Sequence, residues 1–535
     1  MAIELSNLTF TEQDDIVPAS GVERIFNTGV TNTFAGNDII TGTQALYEPY
    51  PADRNGIYNT NIGTLNTGEG NDRITGTGAL IGIYNIGTLN TGEGNDIITG
   101  TGGERGIQNY VGEINTDDGN DTITGTGIVD AYSGIINTGS HLNTGNGNDV
   151  ITATSELHGF VNSGGRVNTG DGNDTITGTG GFNSNSITYG IIIDFISYTD
   201  TGNGDDVVTG TGKGGISATF GTLNTGDGND IITGIGEIDI SGIGRIGIFT
   251  HLGGTINTGN GQDSIISHGV FMNNIYGYEE SGGGGVFLGE GNDIIASTDV
   301  IYNGRTIDTG NGEDSITSQG TLKNYAGIFL GEGNDSILTD VEVPNRAFEN
   351  FNFIETGEGN DTITSTGVLY NQGIINTGNG DDSIIVDGGV NGTGDGYGIH
   401  NNGGAINTGN GNDSIISQGK FTNTRQVFLG DGNDSIIANE GFESGPNSSG
   451  AWFLGEGDDY IKGYGSGDFY GGNGNDTLEL TPGTYTVGIW GEAGESPIFT
   501  KGDQLMITSE FEKLIAGDTI YDFTSLTAGQ IITVS

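Results

Sequence analysis

The chain has 535 residues, with 15 Lys+Arg against 69 Asp+Glu and a formal net charge of −54. That balance excludes nucleic acid and anionic membrane as partners, and it sets the chain against itself unless cations neutralise it, divalent metal being the evident candidate. The absence of cysteine excludes disulfides and thiolate metal sites, and no stretch approaches ~18 consecutive apolar residues, so no membrane span is expected.

Residues 1–33 open with "MAIELSNLTFTEQDD", which has neither a basic region nor an apolar core, so no Sec-type signal peptide is read there. This segment is expected to form an N-terminal cap. From residue 34 to 454 the chain repeats itself: "LNTGEGNDRITGTG" (65–78) returns as "LNTGEGNDIITGTG" (89–102). Glycine numbers 105 and proline 7, below the roughly 25–30% Pro+Gly of low-complexity disorder. The glycines are also periodic and alternate with Ile, Leu, Val and Phe, so an ordered chain is expected.

An Asp closes each Gly-x-(Asn/Asp/Gln/Glu)-Asp turn. These are Asp38, Asp72, Asp96, Asp121, Asp149, Asp174, Asp206, Asp230, Asp263, Asp293, Asp314, Asp335, Asp361, Asp382, Asp413, Asp434 and Asp459. From Asp72 onward the intervals run from 21 (Asp293 to Asp314) to 33 (Asp230 to Asp263). An apolar residue precedes each turn (Leu65, Leu89, Ile114, Leu142, Val167, Leu223) and another comes two after the Asp (Ile74, Ile98, Ile123, Ile151, Ile176, Ile232). The flanks alternate with period two, which is strand periodicity. A third short strand is read between turns, as in "IGIYN" (81–85) and "GIIN" (373–376).

A unit of two or three short strands cannot bury its apolar side alone. Stacked in register at about 4.8 Å, successive units share a core. The fold class expected is therefore all-β: a right-handed parallel β-helix or β-roll solenoid of roughly 17 coils, with length variation in loops such as "YEESGGGG" (278–285) and "GFNSNSITYG" (181–190).

The turn suits a cation. Gly68 and Gly70 permit left-handed backbone that turns carbonyls to one side, and Asp72 adds a carboxylate. Hard oxygen donors without His or Cys suit Ca²⁺, which takes six to eight ligands at about 2.3–2.6 Å. One turn cannot supply so many, so each ion is expected between neighbouring coils. At one Ca²⁺ per gap, about 32 positive charges would meet the acidic excess. The competing reading is a metal-free ladder of stacked side chains, for which Asn66, Asn90, Asn115, Asn143 and Asn168 recur at the right place.

Toward the C-terminus, "GGNGNDTLE" (471–479) matches G-G-x-G-x-D-x-U-x at every fixed position, and "GEGDDYIKGYGSGDFY" (455–470) places Asp459, Asp468 and Asp476 at gaps of 9 and 8. Residues 455–480 thus resemble the tandem nonapeptide β-roll of the RTX (hemolysin-type) calcium-binding repeat family, and residues 34–454 look like a stretched relative with one nonapeptide per coil. The resemblance implies several bound Ca²⁺ ions, with Asp459, Asp468, Gly472, Gly474 and Asp476 among the ligands. It also implies a protein outside the cell or on its surface, exported by type I secretion without an N-terminal signal peptide. The array departs from the pattern: Thr67, Thr91 and Thr169 replace the first glycine, Leu288 and Leu330 do so elsewhere, and Asp117 stands where the second glycine belongs. Residues 481–535 lose the motif and read as a β-rich cap carrying the export signal.

Catalysis is the alternative, since β-helices host polysaccharide lyases and epimerases. His141, His158, His251, His268 and His400 share no spacing, and three are expected in variable loops. Acids are everywhere, so no pair is singled out as acid and base, and neither a Gly-x-Ser-x-Gly elbow nor a P-loop appears. Tyr84, Tyr110 and Phe160 are either a glycan-binding face or core. The reading is a non-enzymatic calcium-binding structural or adhesive protein, with calcium ions as partners and surface polysaccharide or self-association as further ones.

Overall fold

The structure is a computed structural model. It describes residues 2–18, 23–44, 54–128, 131–182, 187–238, 244–274, 283–341, 346–388, 396–445, 450–491 and 496–535. Most of "YEESGGGG" and part of "GFNSNSITYG" lie outside them. The chain divides into two units: Met1–Glu290 with Ile294–Asp299, and Gly291–Asp293 with Val300–Ser535.

Each unit is a parallel β-helix. One coil of the first unit shows how the sequence builds it. Ile81–Asn85 runs along a first face, Thr88–Asn90 along a second, the Gly-x-Gly turn reverses the chain, and Ile97–Gly102 runs along a third before Arg105–Tyr110 starts the next coil. Every strand pairs in parallel with its copy one coil away: Ile83 with Ile57 and Ile107, Leu89 with Leu65 and Ile114, Ile98 with Ile74 and Ile123. These inward residues are fully buried. Three apolar files, one from each face, form the core, and each such side chain contributes about 1.5–3 kcal/mol by leaving water. Among the described residues the only helical segments are two short 3-10 turns, Leu5–Asn7 and Phe523–Ser525.

Inward glycines set the core's width. A Cβ on Gly76 would lie 2.3 Å from the Gly82 carbonyl oxygen, so the first and third faces touch through backbone there. Parallel pairing begins at once, with Ala2–Glu4 against Arg24–Phe26 and Ile16–Val17 against Ile39–Ile40.

A second set of inward positions is polar. Asn27, Asn59, Asn85, Asn109, Asn137 and Asn162 hold the last or next-to-last position of the first-face strands and are fully buried. Each of the first five donates its Nδ2 to the Oδ1 of the next, as in Asn85 to Asn109 (2.8 Å) and Asn109 to Asn137 (2.9 Å), and Asn162 donates to Thr199 Oγ1 (3.0 Å). The second Nδ2 hydrogen goes to a second-face carbonyl, as from Asn109 to His141 (2.7 Å). The second unit repeats the device from Asn324 through Asn350, Asn371 and Asn401 to Asn423. A side-chain amide satisfies both its donors and its acceptor this way without water.

In the second unit, Ile374–Asn376 belongs to the second face and pairs with Phe353–Glu355. The third strand of that coil is Val368–Asn371 instead of "GIIN", because the short apolar pair before a turn and the pair before a buried Asn look alike in sequence. After Phe442–Ser444 the first face ends, and the coil from Asp459 to Asp476 shrinks to 17 residues built on Tyr460–Lys462 and Gly467–Asn473. Phe442, Trp452 and Phe469 fill the vacated space, with the Trp452 and Phe469 rings stacked at 4.6 Å. The stack is closed by antiparallel pairing: Gly483–Trp490 lies between Ser496–Lys501 and Ile531–Val534, and Thr519–Asp522 turns back on Lys513–Ala516. Reversed strands end the open parallel edge, which would otherwise recruit another chain. The five histidines sit within strands, His141, His158, His251, His268 and His400, and not in loops. Phe160 is core, Tyr84 is half-buried and Tyr110 is 46% exposed.

Two substitutions test this architecture. Asn109→Leu strips the Asn85 amide and the His141 carbonyl of their buried partners and is expected to cost about 2–6 kcal/mol, at about 1–3 per orphaned group. Gly139→Asn is expected to change stability by less than about 0.5 kcal/mol, because Gly139 has φ 57° with nothing within 4 Å of a Cβ. Thermal melts of both variants check this.

Candidate metal centre

The turn between second and third faces is built from backbone outward. In Thr91-Gly92-Glu93-Gly94-Asn95-Asp96 both glycines have positive φ, 89° and 144°. A Cβ on Gly92 would sit 1.9 Å from the Gly68 carbonyl oxygen, and one on Gly94 would sit 1.7 Å from that of Gly70. Glycine is therefore required twice over, by conformation and by the carbonyl of the preceding coil. Asp117, where the sequence lacks the glycine, adopts φ 59°, a conformation Asp tolerates better than most side chains.

The Asn and Asp that end the turn form two ladders running in opposite senses. On the outside, each Asn Oδ1 accepts the backbone N–H of its counterpart in the following coil: Asn71 from Asn95 and Asn95 from Asn120, both at 2.7 Å. On the inside, each Asp Oδ1 accepts the N–H of the Asp in the preceding coil: Asp96 from Asp72 and Asp121 from Asp96, again at 2.7 Å. Of the asparagines expected to stack, Asn168 donates to Asn143 Oδ1, Asn143 to Asn115 Oδ1 and Asn66 to Asn32 Oδ1, on the neighbouring second face.

The inner ladder gathers nearly every residue singled out in the sequence. Asp38, Asp72, Asp96, Asp121, Asp149, Asp174, Asp206, Asp230 and Asp263 file through the first unit. Asp293, Asp314, Asp335, Asp361, Asp382, Asp413, Asp434, Asp459 and Asp476 file through the second. All are 0–1% exposed. Gly472 and Gly474, with φ 108° and 151°, hold the last turn in the same geometry. Asp468 is not brought there: it lies within Gly467–Asn473, in register with Ala451 and Ile507, half-buried. Two participants carry no motif. The Asp15 amide donates to Asp38 Oδ1 (2.7 Å) at the start, and Glu512 Oε2 accepts the Asp476 amide (2.7 Å) at the end.

The ladder satisfies one oxygen of each carboxylate. The other, Oδ2, is buried and makes no hydrogen bond in Asp38, Asp72, Asp96, Asp121, Asp149, Asp174, Asp206, Asp230, Asp314, Asp335, Asp361, Asp382, Asp413, Asp434, Asp459 and Asp476. Burial pushes these carboxyls up, and neighbouring carboxylates in the file push some further. Asp72 rises to about 6, Asp121 to about 7 and Asp206 to about 8. The preceding threonine and the accepted amide oppose the shift without cancelling it. The Thr67 hydroxyl beside Asp72 spends its hydrogen on the Thr91 carbonyl, at 3.0 Å. An ionised carboxylate buried beside others of its kind needs a proton or a cation.

Among the described residues no group of three or more His, Cys, Asp or Glu side chains converges as a metal cage. Each coil brings one carboxylate oxygen to the file, and further donors would come from backbone carbonyls or water. Those of Gly68, Gly70, Gly92 and Gly94 accept no backbone hydrogen bond among the described residues.

No protein-family model and no curated protein matches the chain. A solved structure, a hyperactive, Ca²⁺-dependent, β-helical antifreeze protein from an Antarctic bacterium, is similar at 18% identity with a TM-score of 0.31, over 76% of this chain and 84% of that one.

The raised carboxyls fix a pH dependence. A group whose folded pKa exceeds its unfolded value stabilises the fold below the unfolded value and loses that contribution as pH rises through the folded one. For Asp72, Asp121 and Asp206 the window runs from the ordinary 3.8 to about 8. Metal-free protein is therefore expected to melt at progressively lower temperature from pH 5 to pH 8, as monitored by circular dichroism.

Proposed function

We propose that this chain is a calcium-binding β-helix with a structural or adhesive role outside the cell. The observation that carries the reading is the file of buried carboxylates whose second oxygen has no hydrogen-bonding partner. The donor set is all oxygen: Asp72 Oδ2, Asp96 Oδ2 and their counterparts, with the glycine carbonyls of successive turns. That is hard-cation chemistry, and it favours Ca²⁺ over Mg²⁺, which prefers a rigid octahedron and retains several waters. When bound, the ion supplies positive charge between coils. The chain's own residues do the rest. The glycines open the turn, the outer Asn ladder fixes its spacing, and the inner Asp ladder holds each carboxylate in place.

Several features support an extracellular setting. Without cations the acidic file and the net charge of −54 oppose stacking. Metal that binds only the folded state contributes its binding free energy to folding. Such a chain stays loose where calcium is scarce and assembles coil by coil where it is plentiful, which suits export through type I secretion. The role is structural and not catalytic, because the histidines are scattered over all three faces and the carboxylates repeat without a distinguished pair. Surface polysaccharide or further copies of the chain are the partners of such a scaffold.

Chelator-stripped protein titrated with CaCl₂ at pH 7.5 is expected to gain β signal steeply, with no comparable gain in MgCl₂. Asp121→Asn keeps the oxygen that accepts the Asp96 amide and removes the charge. It is expected to bind fewer calcium ions by equilibrium dialysis while retaining a β-rich spectrum. Unchanged stoichiometry would remove Asp121 from the site.

A further inference from the structure

The third face of the first unit carries a pattern that neither the core nor the turn demands. From Ile39 to Gly236 its strands read Ile39–Thr43, Arg73–Gly78, Ile97–Gly102, Thr122–Gly127, Val150–Thr154, Thr175–Thr179, Val207–Gly212 and Ile231–Gly236, before Ser264–His268 and Ile294–Ser297 bring Ile266 and Ala296 into the same column. Pairing in register places Thr41, Thr75, Thr99, Thr124, Thr152, Thr177, Thr209 and Thr233 in one outward file. A second file, two residues along, holds Thr43, Thr77, Thr101, Thr126, Thr154, Thr179 and Thr211. All are half-exposed or exposed. Among the described residues none of these hydroxyls donates or accepts a hydrogen bond within the protein.

The inward residue between each pair is glycine, or Ala153 in one coil, and there the reason is steric: a Cβ on Gly100 would meet the Gly106 oxygen at 2.3 Å. No such reason fixes the outward threonines. The second unit shows what the same column accepts otherwise: Thr317, Leu338, Thr364, Ile385, Ile416, Ile437 and Lys462. β-Propensity alone permits Val, Ile or Tyr there equally well.

Charge points the same way. In a chain with 69 acidic residues, the span from the first to the fifth residue of each of these strands contains no Asp or Glu, and Arg73 is its one charged residue. A neutral face on an acidic molecule fits a neutral occupant. The two files form a mesh of about 4.8 Å along each file and about 6.6 Å between them. Each node offers a methyl group on a stiff β-branched stem, with a hydroxyl that makes no hydrogen bond within the protein and is buried only at Thr75. A rigid mesh of this kind matches a ligand that is itself a lattice of hydrogen-bonding oxygens. These outward positions carry no aromatic ring, the side chain on which sugar faces stack.

We infer that the double threonine file of the first unit is a binding face for ice, engaging the crystal surface through ordered water held on the mesh. The inference stands on this face and not on the calcium reading. Its test uses calcium-replete full-length protein whose β-rich spectrum has been verified, so a folding failure is recognised as such. Thermal hysteresis and inhibition of ice recrystallisation are measured for the wild type, for Thr124→Tyr in the middle of the file, and for Gln108→Tyr on the first face. The wild type is expected to restrain ice growth, Thr124→Tyr to lose most of that effect, and Gln108→Tyr to keep it. Absence of any effect on ice by the folded wild type would overturn the inference. So would full activity in Thr124→Tyr, equal loss in Gln108→Tyr, or retention on crystalline cellulose without an effect on ice.

Discussion

A column of buried carboxylates is the constraint on which the rest of the structure depends. Asp121 and Asp206 typify it: each accepts a backbone amide of the preceding coil with one oxygen and holds the other buried without a hydrogen bond. The first oxygen makes the carboxylate part of the backbone scaffold: the Asp96 amide binds Asp121, whose own amide binds Asp149. The second oxygen makes it a liability, since several such groups rise to between about 6 and 8. The hydrogen-bond ladder therefore does not exclude the proposed cation beside it. The ladder positions the carboxylates, and their uncompensated charge creates the demand for a counter-ion.

The six-residue turn becomes intelligible position by position. At most turns that carry threonine its hydroxyl is spent on a carbonyl of the next coil, as Thr67 shows with Thr91, while the Thr91 and Thr225 hydroxyls make no such bond. The two glycines allow a left-handed path against a carbonyl only 1.7–1.9 Å from where a Cβ would be. Asn points outward and Asp inward, so their ladders run in opposite senses and lock the spacing from both sides. The isoleucine two residues later returns the chain to the core. Ends need separate solutions, and Glu512 provides one by taking the amide of Asp476 that has no further coil to bind.

Much of this was legible in the sequence because a solenoid converts spacing directly into stacking. The turn Asp residues, the flanking Leu and Ile and the all-β class come from a recurring phrase and a period of two. What escaped has physical reasons. The buried asparagine ladder through Asn59, Asn85 and Asn109 hides in "IYN", where Asn reads as a turn residue; only its recurrence one residue after an outward position marks it as core. Ile374–Asn376 was indistinguishable from such a strand for the same reason. Asp468 fits the tandem spacing, yet its coil has lost a face and its residue falls within a strand. Asp15 and Glu512 act once each and leave no periodic trace. The threonine files were visible as "ITGT" but gained meaning only when the register set them side by side on a face without acids.

The most direct measurement tracks the amides that bind the carboxylate file. Hydrogen–deuterium exchange at pH 7.5 is compared between chelator-stripped and calcium-loaded protein, reading peptides that span Asp72 to Asp263 and Asp314 to Asp476. If counter-ions hold the carboxylates in place, these amides exchange freely in the stripped protein and become protected together as calcium is restored. Equal protection in both samples would show that the ladder stands without cations and would contradict the account.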